Sequence, residues 1–156
     1  MPTGPCIAPK PVAETALSVE TPRVGVAVLV THAGKLLLGQ RTNPPQPDSW
    51  QCPGGFLNPD ESVFDCARRK AEQEAGIGIQ GLVQGPYTSN RFEAEALHTV
   101  TLYVLAELSE VKQAEKFARW HWCDPSRLPE PRFLPLEILV TDYSLQELLP
   151  PRESDH

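Results

Sequence analysis

Residues 54–77, GGFLNPDESVFDCARRKAEQEAGI, constrain this chain more than any other stretch, because they prescribe a tight turn followed by an amphipathic helix of defined length. Pro53, Gly54 and Gly55 ask for a backbone path that side chains would obstruct. A helix is predicted to start near residues 60–62. There Asp60 or Ser62 can cap free backbone N–H groups, and the early carboxylates favour the positive end of the helix dipole. Val63, Ala67, Ala71 and Ala75 recur every four residues, with Phe64 beside them, and form one buried stripe. Gly76 is a natural left-handed stop. Lys70 and Glu74 stand four residues apart and so share a different face of the same helix.

The rest of the chain limits what this helix can belong to. With 156 residues, 40% hydrophobic and 22% charged, one soluble globular domain is expected. A formal net charge of -6 argues against a long nucleic acid as partner, since a polyanion needs a basic face. A small anion remains compatible. Cys6, Cys52, Cys66 and Cys123 form no CxxC pair and read as free thiols of a cytoplasmic protein. No stretch has the length of a membrane span, and the N-terminus lacks the pattern of a secretory signal. The expected organisation is a flexible proline-rich arm over residues 1–22, a folded domain over 23–149 and a tail over 150–156.

Within that domain, residues 23–30, RVGVAVLV, suit a strand covered on both faces. Ala33 and Gly34 supply a turn, residues 35–41 return as a second strand, and Pro44, Pro45 and Pro47 mark a loop before Trp50. After the helix, residues 82–83 and 98–108 are strand candidates, and so are residues 117–123. Trp120 and Trp122 would share a face there and pack in the core or a dimer contact. From Phe133 a closing helix is expected, with Pro135 in its first turn and Leu136, Leu139, Val140 and Tyr143 at helical spacing. Strands mixed with two substantial helices make an α/β class, a sheet with helices on its faces.

Residues 54–77 resemble the signature of the Nudix hydrolases. That signature reads Gly, five residues, Glu, seven residues, Arg-Glu, an aliphatic residue, any residue, Glu-Glu, any residue, Gly and an aliphatic residue. The chain matches at Gly55, Glu61, Arg69, Glu74, Gly76 and Ile77, and departs at Lys70, Ala71 and Gln73. Further similarity to the MutT-like subgroup runs from Arg23 to the terminal helix. The resemblance implies an α/β/α sandwich around a mixed sheet, with the signature helix on one face and the C-terminal helix on the other. It implies hydrolysis of the diphosphate linkage of a nucleotide or nucleoside diphosphate derivative, with Mg²⁺ or Mn²⁺ as cofactor, and a homodimer as the assembly.

Residue by residue, the family's metal ligands fall on Lys70, Glu74 and the Gly54 carbonyl, with Gln73 in place of a further glutamate. An ammonium cannot ligate Mg²⁺, and an amide oxygen is a weaker ligand than a carboxylate, so metal affinity and hydrolysis are expected to be weak or absent. Two readings of Lys70 stay open. It is a solvated helical pair with Glu74, worth a few tenths of a kcal/mol, or it places a built-in cation where the metal would sit and helps Arg69 bind phosphate. Glu72 points away from this face. Glu61 and Arg69, which with Glu74 complete the expected catalytic set, would brace the turn against the helix.

By the same resemblance Arg41 would contact phosphate, and Phe56 and Leu57 would lie near the base. Glu93 or Glu95 could offer a substitute carboxylate, against the plainer reading of a solvated acidic loop. His98 and His121 are not spaced as a metal or triad set. Three functions follow: a weakened metal-dependent hydrolase, a non-catalytic nucleotide or metabolite binder, and a dimeric scaffold that uses its proline-rich arm.

Overall fold

A computed structural model describes residues 21–149. Almost all of the expected N-terminal arm, and the whole expected tail, therefore lie outside the described residues, as does Cys6.

Strand β1 (Arg23–His32) is the spine of a seven-stranded mixed sheet. Along one edge it pairs in parallel with β6 (Leu97–Val111), from Arg23 opposite Thr99 to Thr31 opposite Glu107. Its other edge is shared between two strands. β2 (Lys35–Gln40) turns back through Ala33 and Gly34, both at positive φ, and its pairing with β1 is confined to Thr31 and His32. β4 (Gly54–Phe56) takes up the edge at Gly25 to Ala27. β3 (Trp50–Gln51) and β7 (His121–Cys123) pair with β2, while β5 (Ile77–Phe92) closes the far edge against β6.

The sheet is covered on both faces because successive side chains of a strand point to opposite sides. Val26, Val28 and Val30 join Leu37 and Val104 against helix α1 (Val63–Ala75), which presents Cys66, Ala67, Ala71 and Ala75. Leu29, Leu36, Leu38 and Tyr103 face the other way, against Leu136 and Leu139 of helix α3 (Leu134–Asp142) and Leu145 of α4 (Leu145–Leu148). Each of these buried Val and Leu side chains contributes about 1.5–3 kcal/mol of transfer free energy. The expected α/β/α sandwich is the observed fold. Small alanines on α1 let the helix backbone lie close to the sheet.

Local expectations hold in part. Ser62 caps α1, its Oγ accepting from the Asp65 N–H at 3.0 Å, while Asp60 sits at positive φ in the preceding turn. Gly76 ends the helix at φ 68°. Pro135 lies in the first turn of α3, but Tyr143 falls just past its end and is exposed. The strand expected over residues 117–123 is shorter. Residues 114–117 form a helical turn, α2 (Ala114–Phe117), and β7 begins only at His121. The physical reason is the end of α1: Lys116 Nζ donates to the Gln73 carbonyl at 2.9 Å, and Trp120 Nε1 donates to the Glu74 carbonyl at 3.1 Å. This segment covers the helix end instead of extending a ladder. Trp120 and Trp122 both pack on the α1-side core, as expected for core aromatics.

β2 stops at Gln40, not Arg41, because Arg41 bonds across the following loop through its own N–H to Ser49 and its carbonyl to Asp48, both at 2.8 Å. The run at residues 82–83 belongs to one long, repeatedly bulged β5. Cys52, Cys66 and Cys123 are free thiols. Among the described residues no helix is long and apolar enough to cross a membrane.

Candidate functional site

The turn into α1 and the helix itself are joined by one ion pair. Arg69 grips Glu61 with two donors, Nε to Oε2 at 2.7 Å and Nη2 to Oε1 at 2.9 Å. Glu61 also accepts from the Asn58 N–H at 3.1 Å, and Arg69 Nη2 reaches the Phe56 carbonyl at 3.2 Å. Such bidentate, charge-assisted bonds fix orientation as well as charge. The Arg69 guanidinium, helped by the Asn58 N–H, holds the Glu61 carboxyl down at about 2. A carboxylate committed to this degree braces a turn.

One helical step further on the arrangement changes. Lys70 lies across the glycine turn: a Cβ added to Gly55 would fall on Lys70 Cε and stand 2.8 Å from Nζ. Its ammonium is 3.7 Å from Glu74 Oε2 and donates to Gln73 Oε1 at 3.3 Å. The Lys70 side chain retains only 18% of its exposure, so the pair is not a fully solvated one. Gln73 Oε1 accepts from Arg69 Nη1 as well, at 3.4 Å, so two cations already face it. Glu72 turns away to Lys112, at 3.3 Å. Gly54 presses on β1, where a Cβ would meet the Val26 carbonyl.

These residues do not fit a resident divalent cation. Among the described residues no three His, Cys, Asp or Glu side chains converge as such a site requires. Glu74 is the single carboxylate on this face of α1, and its neighbour in the place of a second ligand is a cation. Glu93 and Glu95 lie in the exposed β5–β6 turn.

Beside the turn, a cleft of about 320 Å³ opens between the sheet and the start of α3. Gly54, Gly55, Phe56 and Arg41 line it, so the structure brings these four together. Leu57 is set apart from them, packed against the α1-side core. Arg41 donates to the Pro45 carbonyl at 2.9 Å, to Gln51 Oε1 at 2.8 Å and to the Pro44 carbonyl at 3.1 Å, and its guanidinium covers the Phe133 ring at 4.1 Å. Partial burial lowers its pKa, and the Glu74 carboxylate opposes that shift. Arg41 and Lys70 therefore both act on Glu74.

The NUDIX domain profile matches residues 21–141. The chain belongs to the Nudix family. Its fold is similar to the MutT NUDIX hydrolase of Burkholderia pseudomallei, with 26% identity, 76% of this chain and 95% of that chain covered, and a TM-score of 0.67. It also superposes on the NUDIX domain of Shewanella oneidensis NrtR, solved with ADP ribose, at a TM-score of 0.60 and 22% identity, covering 85% of this chain and 97% of that one. An RNA pyrophosphohydrolase of Pseudomonas putida is 39% identical over 56 residues, 36% of this chain and 33% of that protein. The match spans about a third of that relative's length.

Sequence reasoning missed several lining residues of this Nudix cleft. Arg23 sits 3.6 Å above the Phe56 ring, and Phe92 and Phe133 stack at 5.5 Å. The spacing of Phe92 and Phe133 along the chain carries no trace of this contact. Thr99 and Thr101 also line the cleft, and here a signal existed: with Tyr103 they alternate along β6 and must share a face.

Proposed function

We propose that this Nudix domain binds a nucleotide or nucleoside diphosphate derivative in the cleft beside the glycine turn and hydrolyses its diphosphate linkage weakly. The observation that carries this reading is the Lys70 ammonium, laid over Gly55 and facing Glu74 at 3.7 Å. It supplies positive charge to a phosphate but cannot activate a water. Arg41 adds a second cation beside the cleft. The ADP ribose held by the NrtR domain makes a nucleoside diphosphate sugar the class of ligand to try first.

The same cations support a second reading, a non-catalytic nucleotide or metabolite binder that needs no metal. Thermal-shift measurements with ADP-ribose, with and without Mg²⁺ or Mn²⁺, separate the two when paired with an assay of hydrolysis. Metal-independent stabilisation with slow or absent turnover is expected. Stoichiometric metal binding with rapid turnover by the unmodified chain would overturn both the weak-hydrolase and the binder reading. A homodimer in the cytoplasm is the proposed setting, and light scattering tests the dimer.

A further inference from the structure

Helix α1 covers only part of its face of the sheet. On that side Val26 and Val28 of β1 and Val104 of β6 are buried in the core. Toward the start of both strands the cover ends: Val24 is 39% exposed, and Val100 and Leu102 are half-buried. Val24 stands opposite Val100, and Leu102 opposite Tyr87 of β5. Residues opposed in a ladder point to the same side of the sheet. Tyr87 is 65% exposed. An apolar strip of Val24, Val100, Leu102 and Tyr87 therefore crosses three strands beyond the reach of α1. On the other face the same stretch of β6 is closed, with Thr99, Thr101 and Tyr103 buried.

The two ends of the strip differ in charge. At the β1 end the turn with Asp60 and Glu61 lines one hollow together with Val24 and Leu57. At the β5 end Arg91 lies opposite His98, on the side that Tyr87 takes. Arg91 is exposed and, among the described residues, has no ion-pair partner.

Residues 1–20 precede the described chain, which enters β1 at Arg23, next to Val24. Residues 11–20, PVAETALSVE, hold the apolar Leu17 and Val19 and the carboxylates Glu14 and Glu20, with no cation. We infer that this segment docks in cis on the strip, with Leu17 and Val19 against Val100, Leu102 and Tyr87. The reach suffices. β5 lies two strand spacings from β1, about 10 Å, and the extended chain from Val19 to Arg23 reaches about 13 Å. Charge sets the direction: Asp60 and Glu61 repel the carboxylates of the segment and Arg91 attracts them, so the segment crosses β6 toward β5 and does not turn over Leu57. Covalent attachment makes the contact intramolecular, which favours this occupant over a second copy offering the same contacts. The inference is independent of the ligand that the cleft takes.

NMR of the full chain with labelled methyl groups tests it. Nuclear Overhauser contacts are expected from the Leu17 and Val19 methyls to those of Val100 and Leu102 and to the Tyr87 ring. Leu17→Glu with Val19→Glu should abolish these contacts and shift the Val24, Val100 and Leu102 signals, while Val28 and Val30 stay in place. Arg91→Glu leaves the apolar strip intact and should weaken the same contacts. Absence of the contacts, or strip signals indifferent to both variants, overturns the inference. Strip signals that move with protein concentration and not with the Leu17 and Val19 changes assign the strip to a second copy, and overturn it as well. So do contacts that a sample of mixed isotope labelling shows to run between molecules.

Discussion

The two halves of helix α1 have been treated differently. From its middle, Arg69 holds Glu61 of the preceding turn through two short bonds and reaches the Phe56 carbonyl, so turn and helix are tied together. At its end, Lys70 and Glu74 face each other at 3.7 Å, with Gln73 between. The difference teaches that the bracing of this turn does not depend on an acidic residue at position 70 or 73: the Arg69–Glu61 pair forms with Lys70 and Gln73 in those places.

The largest expected effect comes from making the second half acidic again. Lys70→Glu with Gln73→Glu should raise Mg²⁺-dependent hydrolysis of ADP-ribose by about a hundredfold, read as product release. No gain, with Mg²⁺ bound, would show that the loss lies elsewhere. The two glycines offer a sharper contrast. Gly54→Ala drives a Cβ into the β1 backbone and should cost about 1–3 kcal/mol in chemical denaturation, whereas Gly55→Ala meets only the far end of the Lys70 chain and should cost much less. Equal costs would mean that Lys70 is held rigidly.

Within the bracing half, Ser62→Ala removes the cap on Asp65 N–H and should destabilise by about 1 kcal/mol, measurable by denaturant titration. The smallest effect is a pH slope. The Glu61 carboxyl is depressed from its ordinary 4.5 to about 2, so its contribution is fully present above pH 4.5. It is lost as pH falls through about 2. Glu61→Gln should flatten the decline in stability across that window, and an unchanged slope would remove the bidentate pair as its source.

Much of this was legible along the chain. The alternation of Val26, Val28 and Val30 with Leu29 announced a strand covered twice, and the four-residue spacing of Ala67, Ala71 and Ala75 announced the helix that covers one face. Gly76 and Ser62 marked its limits through local geometry that needs no distant partner. The segment before β7 was misread because Lys116 and Trp120 bond to carbonyls more than forty positions away in sequence. Leu57 follows Phe56 directly, yet only Phe56 lines the cleft, because β4 ends at Phe56 and Leu57 packs on the α1-side core.

By itself, the sequence determined the family, the sandwich and the placing of Lys70 and Gln73 on the helix beside Glu74, since these rest on local periods and on the identity of single residues. Only the tertiary structure decided where the Lys70 ammonium goes and that Asn90 meets Thr99 and Thr101. The first depends on the absence of a Cβ at Gly55, fifteen positions earlier in the chain. The second depends on Asn90, which a hairpin brings opposite Thr99. Contacts of this kind are set by how strands and turns come together in space, and no local pattern records them.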